Sequence, residues 1–173
     1  MSGLIGKGQP KKVNKIKQFL SYDKATKLLF IEAFCLLAWA RILKSRSFVK
    51  VAPSLGEQMG ETTNEDNQNN IRILKHISQA IHVTSKYTFW ESQCLVQAIA
   101  GMKMLTRRNI EATIYFGTAR DETGKLIAHA WLRSGSFYVT GSDGMERFTV
   151  VNTFAKRLKS DIQGEYYGKQ TQS

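Results

Sequence analysis

At 173 residues, 42% hydrophobic and 23% charged, the chain has the length and balance of a single soluble domain, not of a disordered or membrane-embedded chain. Its net charge of +11 and pI near 9.8 predict attraction to acidic partners: nucleic acid, a membrane surface or an acidic peptide. No helix-turn-helix, zinc-finger or aromatic-plus-basic RNA signature accompanies that charge, so a solvated basic surface with no nucleic-acid partner is the preferred reading.

Residues 1–20 read as a basic flexible arm, in which Lys7, Lys11, Lys12, Lys15 and Lys17 occur with no acid. One domain is expected over residues 21–163, with a polar tail at 164–173. Residues 25–43 are strongly apolar and predict a helix buried nearly all round, with Cys35 in the core. The uninterrupted apolar part falls far short of the roughly 18 residues of a membrane span. Lys27, Glu32 and Arg41 break the longer window, so no stable membrane insertion is expected; surface association of the arm and this helix is the competing reading.

Pro53 is expected to end the helical region, and residues 57–70, with Asn64, Asn67, Asn69 and Asn70, read as a loop. Helical spacing resumes over 71–83, where Ile71, Leu74, Ile77 and Ile81 share a side. His76 and His82 near that helix read as non-catalytic. No His/Cys group has metal-ligand spacing, so no metal site is expected. Phe89 and Trp90 lead into the next helix, either as core or as the lining of a substrate groove.

That next helix carries the chemistry. Leu95, Ala98, Ile99, Met102 and Leu105 recur at helical spacing, Ser92 is the expected N-cap, and Arg107 with Arg108 suit the carboxyl end. Cys94 falls in the first turn, where unpaired N–H groups favour an anion, and a thiolate is a nucleophile. A buried cysteine that merely packs is the alternative. Cys35 and Cys94 do not make a disulfide framework, which suits the reducing cytoplasm.

Beyond Arg108, strands are expected over 111–117, 125–132, 136–140 and 147–151, the first three as an antiparallel meander, followed by a helix over 154–162. His129 shares a strand face with Ile127 and Trp131; a hydrogen-bonded core histidine is the alternative to a catalytic base. Helices followed by strands give an α+β fold, with the cysteine at the start of a central helix packed on an antiparallel sheet.

Ser92-Gln93-Cys94-Leu95, the helix end Leu105-Thr106-Arg107-Arg108, Ile114-Tyr115-Phe116-Gly117 and Ala128-His129-Ala130-Trp131 follow one another in an order that resembles the transglutaminase-like leader peptidases of lasso-peptide biosynthesis. The resemblance is to the standalone form, whose leader-recognition domain is a separate small protein. It runs from about Leu28 to the 148–154 region. It implies a papain/transglutaminase-like core and a cofactor-free cysteine peptidase. Cys94 would attack the carbonyl at the leader–core junction, and His129 would protonate the departing amine and then activate water.

Members of that family carry an acidic residue at the end of the strand after the histidine. The corresponding place here is near Gly141, and the first carboxylate is Asp143, the expected third catalytic residue. Ser142-Asp143-Gly144 also reads as a turn, and Glu146 and Asn152 are weaker candidates. An oxyanion hole needs the backbone N–H of Cys94 and a second donor, for which Gln93 is the candidate. Trp90 and Trp131 are candidates for the substrate groove. The implied partners are the precursor peptide, the leader-recognition protein and the macrolactam-forming synthetase. Two further functions fit the same residues: a transglutaminase-type acyltransferase or amidase, and a non-catalytic basic binding module.

Overall fold

The Asp23 carboxylate accepts the backbone N–H groups of Ala25 and Thr26 and so opens the first described helix, α1 (Lys24–Lys44). The computed structural model describes residues 22–158; the expected basic arm at 1–20 and polar tail at 164–173 lie outside them. Ala33, Leu37 and Ala40 of α1 are fully buried, but Leu28, Ile31, Cys35 and Ile42 are exposed. The expectation of a helix buried all round, with Cys35 in the core, is therefore corrected. Only one side of α1 packs on the rest of the fold.

A second helix, α2 (Phe48–Leu55), runs through Pro53 instead of stopping before it. The ring removes one backbone donor from a helix of about two turns, and burial of Val51 and Leu55 keeps the segment in place. The stretch expected as a loop includes β1 (Glu57–Gln58), a two-residue edge strand. It closes at Asn67, whose side chain caps α3 (Gln68–Ser85) through the Asn69 N–H. Leu74, Ile77, Ala80 and Ile81 form its buried face.

The central helix, α4 (Cys94–Thr106), is buried on almost every side, through Val96, Ala98, Ile99, Ala100, Met102, Met104 and Leu105. It sits between α1, α3 and the sheet. The residue before the helix is Gln93, not Ser92, and no side chain caps it. The Ser92 hydroxyl is drawn instead to the Thr88 hydroxyl, 2.8 Å away.

Among the described residues, four α-helices pack on a five-stranded antiparallel sheet of order β1-β5-β2-β3-β4, an α+β fold. Its main strands are β2 (Ala112–Arg120), β3 (Leu126–Ser134), β4 (Phe137–Thr140) and β5 (Thr149–Lys156). The meander of β2, β3 and β4 is present, but β5 crosses back to pair with β2. It also continues to Lys156, so Phe154–Lys156 is strand where a helix was expected. Phe154, 1% exposed, lies opposite Ile114, and this long-range pairing outweighs the local helical pattern. No helix among the described residues is long and apolar enough to cross a membrane.

Strand alternation divides the sheet into two faces. Ile114, Ala130, Leu132 and Phe154 join the helical core. Tyr115, Trp131 and Arg133 lie on the other face, where Arg133 hydrogen-bonds back to residues 61–63.

Candidate active site

Cys94 is the first residue of α4, half-buried, and packs with Trp90 and Leu95 against the core. The turn that delivers it is tightly bonded. Thr88 Oγ1 donates toward Ser85 O at 3.0 Å, and the Gln97 side chain donates to Ser92 O at 2.8 Å. The sequence thus spends its polar groups on shaping the helix entry, leaving the N–H groups of the first turn without a side-chain acceptor.

The helix and β3 run in the same direction. Gly101 of α4 lies over Leu132, and a Cβ there would come within 2.6 Å of Leu132 Cδ2. Cys94 is seven residues back along the helix, about 10.5 Å at 1.5 Å per residue. His129 is three residues back along β3, about 10 Å. His129 lies on the face of the sheet that carries Trp131 and Arg133, whereas Cys94 packs with the helical core over the opposite face. Among the described residues no hydrogen bond joins the thiol to the imidazole; His129 bonds elsewhere.

His129 Nε2 lies 2.8 Å from the carbonyl oxygen of Gly141. A carbonyl can only accept, so Nε2 carries the proton, and Nδ1 of the neutral ring is left as an acceptor. The ring is held between Trp131, with centroids 5.8 Å apart, and Phe148, at 5.0 Å. Trp131 in turn stacks on Tyr115 at 5.6 Å. Gly117, paired with His129 across the sheet, makes this possible: a Cβ there would meet the Trp131 ring and the Phe148 Cβ at 2.8 Å.

Gly141 has φ +72°, and a Cβ on it would come within 2.4 Å of Ala130 O. No side chain, acidic or otherwise, fits there on this backbone. Asp143 lies two residues further on, exposed, in the turn before a short 3-10 segment (Met145–Arg147), and makes no hydrogen bond to His129. Glu146 is exposed within that segment. Asn152, on β5 opposite Phe116, is half-buried with Oδ1 unpartnered. Gln93 is exposed at the mouth of α4. Trp90 is half-buried against Phe34 and Phe89, its indole N–H without a partner, whereas Trp131 is 5% exposed.

One cluster escaped the sequence reading. Buried Arg133 donates to the Tyr115 hydroxyl (2.7 Å), Thr63 O (3.1 Å), Gly135 O (2.6 Å), Glu61 Oε1 (3.0 Å) and Thr62 O (2.9 Å). Tyr115 also donates to the Glu61 carboxylate. Burial, reinforced by that carboxylate, pushes the Tyr115 phenol up to about 12. Together with Trp131, Tyr138 and Glu146 these residues line a cavity of about 270 Å³ beside the His129 stack. The only sequence signal was alternation: Trp131 and Arg133 share a face with His129. No group of three or more His, Cys, Asp or Glu among the described residues is arranged to hold a metal ion.

No curated protein and no solved structure matches the chain. The model of one family, described as the transglutaminase-like superfamily, matches residues 33–153, from the middle of α1 through most of β5. That span takes in the cysteine at the head of the central helix, the histidine strand and its Gly141 neighbour, and covers well over half the sequence. The chain belongs to the transglutaminase-like superfamily.

Proposed function

We propose that the protein is a cysteine peptidase that removes the leader from a ribosomally made lasso-peptide precursor. The observation that carries the reading is the bond from His129 Nε2 to Gly141 O. It leaves Nδ1 as the basic nitrogen of the ring, and Cys94 stands at the open end of a buried helix. A base with its other nitrogen held is what a thiol nucleophile needs.

In this mechanism Nδ1 takes the thiol proton as sulfur attacks the carbonyl at the leader–core junction. The Cys94 N–H stabilises the oxyanion, with the Gln93 side chain as second donor. The imidazolium passes its proton to the departing amine, leaving a thioester. The neutral imidazole then takes a proton from a water that attacks the thioester, and returns it to the Cys94 sulfur as the C–S bond breaks and the acid is released. The Gly141 carbonyl orients the ring, and Asp143 acts on its field from the solvent side. Trp90 flanks the peptide path, whereas the buried Trp131, expected in the groove, backs the His129 ring instead. No cofactor takes part. A separate protein presents the leader, and the cut peptide passes to a macrolactam-forming synthetase, in the cytoplasm.

The test is mass spectrometry of a precursor peptide co-produced with its leader-binding protein and with native, Cys94→Ala or His129→Ala chain. Leader loss with the native chain alone is expected. Uncut peptide in every sample, with the leader-binding protein folded and bound, overturns the peptidase reading. Incorporation of an added amine at the junction in place of water would identify a transglutaminase-type acyltransferase instead.

A further inference from the structure

The outer side of α1 is an apolar ridge. Leu28 (66% exposed), Ile31 (53%) and Ile42 (59%) lie directly opposite the buried Ala33, Leu37 and Ala40, with Cys35 between them on the same stripe. Phe34 and Trp39 stand at its margins, 41% and 37% exposed. Phe34 packs on Trp90, which packs on Phe89, a ring 91% exposed in the segment before α4. Exposed apolar residues in a continuous patch, unlike scattered ones, mark a surface that something covers.

Charge and shape identify the occupant. Lys24 and Lys27 rim one end of the ridge, and Lys103 lies over the Trp39 ring at 5.8 Å, while Arg107 is ion-paired to Glu32 at 3.3 Å. The sequence leading into Lys24 adds Lys7, Lys11, Lys12, Lys15 and Lys17 with no acid among residues 1–20. A second copy would bring like charge against this rim. A peptide helix seeks a groove, whereas this surface is convex. A basic rim around a convex apolar strip with aromatic margins suits an anionic lipid surface, where side chains enter the acyl boundary and lysines meet the headgroups.

We propose that α1 and Phe89 form a peripheral membrane-docking face, selective for anionic lipid. The helix lies in the plane of the interface and does not cross it, in keeping with Lys27, Glu32 and Arg41, which interrupt its apolar run. Because Phe89 and Trp90 directly precede the Cys94 helix, docking sets the mouth of that helix close to the headgroups. The face stands independently of the peptidase reading, since none of its ridge residues belongs to the candidate active site.

The experiment is co-flotation of the full chain with vesicles of phosphatidylcholine alone, and of phosphatidylcholine with phosphatidylglycerol at about 3:1. The variants are Ile31→Glu/Ile42→Glu, Phe89→Ser, and a chain with the five arm lysines changed to Gln. Circular dichroism checks that each is folded, and light scattering measures its mass. Binding to the anionic vesicles only is expected. The double Glu variant should partition about tenfold more weakly, Phe89→Ser should weaken binding to a lesser degree, and the lysine variant should lose the salt dependence. A native chain that stays in solution with anionic vesicles overturns the proposal. So does a folded double variant that binds as the native chain does, which would make the attraction purely electrostatic. A native dimer that the double variant dissolves also overturns it, assigning the ridge to a second copy.

Discussion

The His129 ring is oriented by the backbone of Gly141: Nε2 lies 2.8 Å from that carbonyl, just past the end of β4. The carbonyl does the part of an orienting group that does not need charge, fixing the tautomer and the ring plane. In the proposed mechanism it brings no countercharge for the imidazolium that would form as the thiol loses its proton.

This arrangement separates Gly141 from Asp143 experimentally. Gly141→Ala places a methyl within 2.4 Å of Ala130 O at a φ of +72°. It should destabilise the fold by about 1–3 kcal/mol and lower peptidase turnover with it. Asp143→Asn touches an exposed residue with no bond to the ring, so it should leave stability unchanged and reduce turnover by less than about tenfold. Denaturant melts and single-turnover cleavage measure both; a loss near that of His129→Ala in the Asn variant would make Asp143 the orienting group after all.

Cys94→Ala and His129→Ala should each lower the cleavage rate by about a thousandfold or more, and the double variant should be scarcely worse than either single one, because the two act as a unit. The melting midpoint of Cys94→Ala should stay close to native, since the thiol is half-buried and makes no hydrogen bond. Differential alkylation adds a control. Cys35 is exposed on α1, so it labels readily, and only a Cys94 rate that falls in His129→Ala reports a functional pair.

What the sequence made legible follows the physics of each segment. The α4 helix and the β2–β3–β4 meander are encoded locally, by spacing and by turns such as Asp121, whose carboxylate accepts the N–H groups of Thr123 and Lys125. The pairing of Phe154 with Ile114 is long-range, and a window around residue 154 holds no trace of it. For α1, composition alone predicted burial, because apolar residues on a docking face and in a core look alike until neighbours are known. The partner of His129 was hidden for a different reason: a backbone carbonyl has no letter in the sequence.

Arg133 was equally hidden, and it holds residues 61–63 onto the sheet. All five of its hydrogen bonds are made, and its side chain is 4% exposed against 55% for Glu61. Arg133→Met should therefore cost about 3 kcal/mol, because it strands the carbonyls of Thr62, Thr63 and Gly135 without donors. Glu61→Gln, at a half-exposed carboxylate, should cost under about 1 kcal/mol. Denaturant unfolding of the two variants checks the asymmetry, and equal losses would mean that the ion pair, not the carbonyl clamp, holds the segment.

The same cluster predicts an alkaline limit. Burial raises the Tyr115 phenol from its ordinary value of about 10 to about 12, and the Glu61 carboxylate pushes the same way. The neutral phenol is therefore favoured by folding. The stability it contributes is complete below pH about 10, where the phenol is neutral in both states. It is lost as the pH rises through about 12, where the unfolded chain has already released its proton and the folded chain is forced to follow. Ultraviolet titration of the folded chain should show a tyrosinate component that appears last and is missing in Tyr115→Phe. The melting midpoint of the native chain should fall more steeply between pH 10 and 12 than that of the Phe variant. Parallel curves for the two chains would show that Tyr115 ionises like an exposed phenol, and the buried bond to Glu61 would then play no part in holding the sheet to residues 61–63.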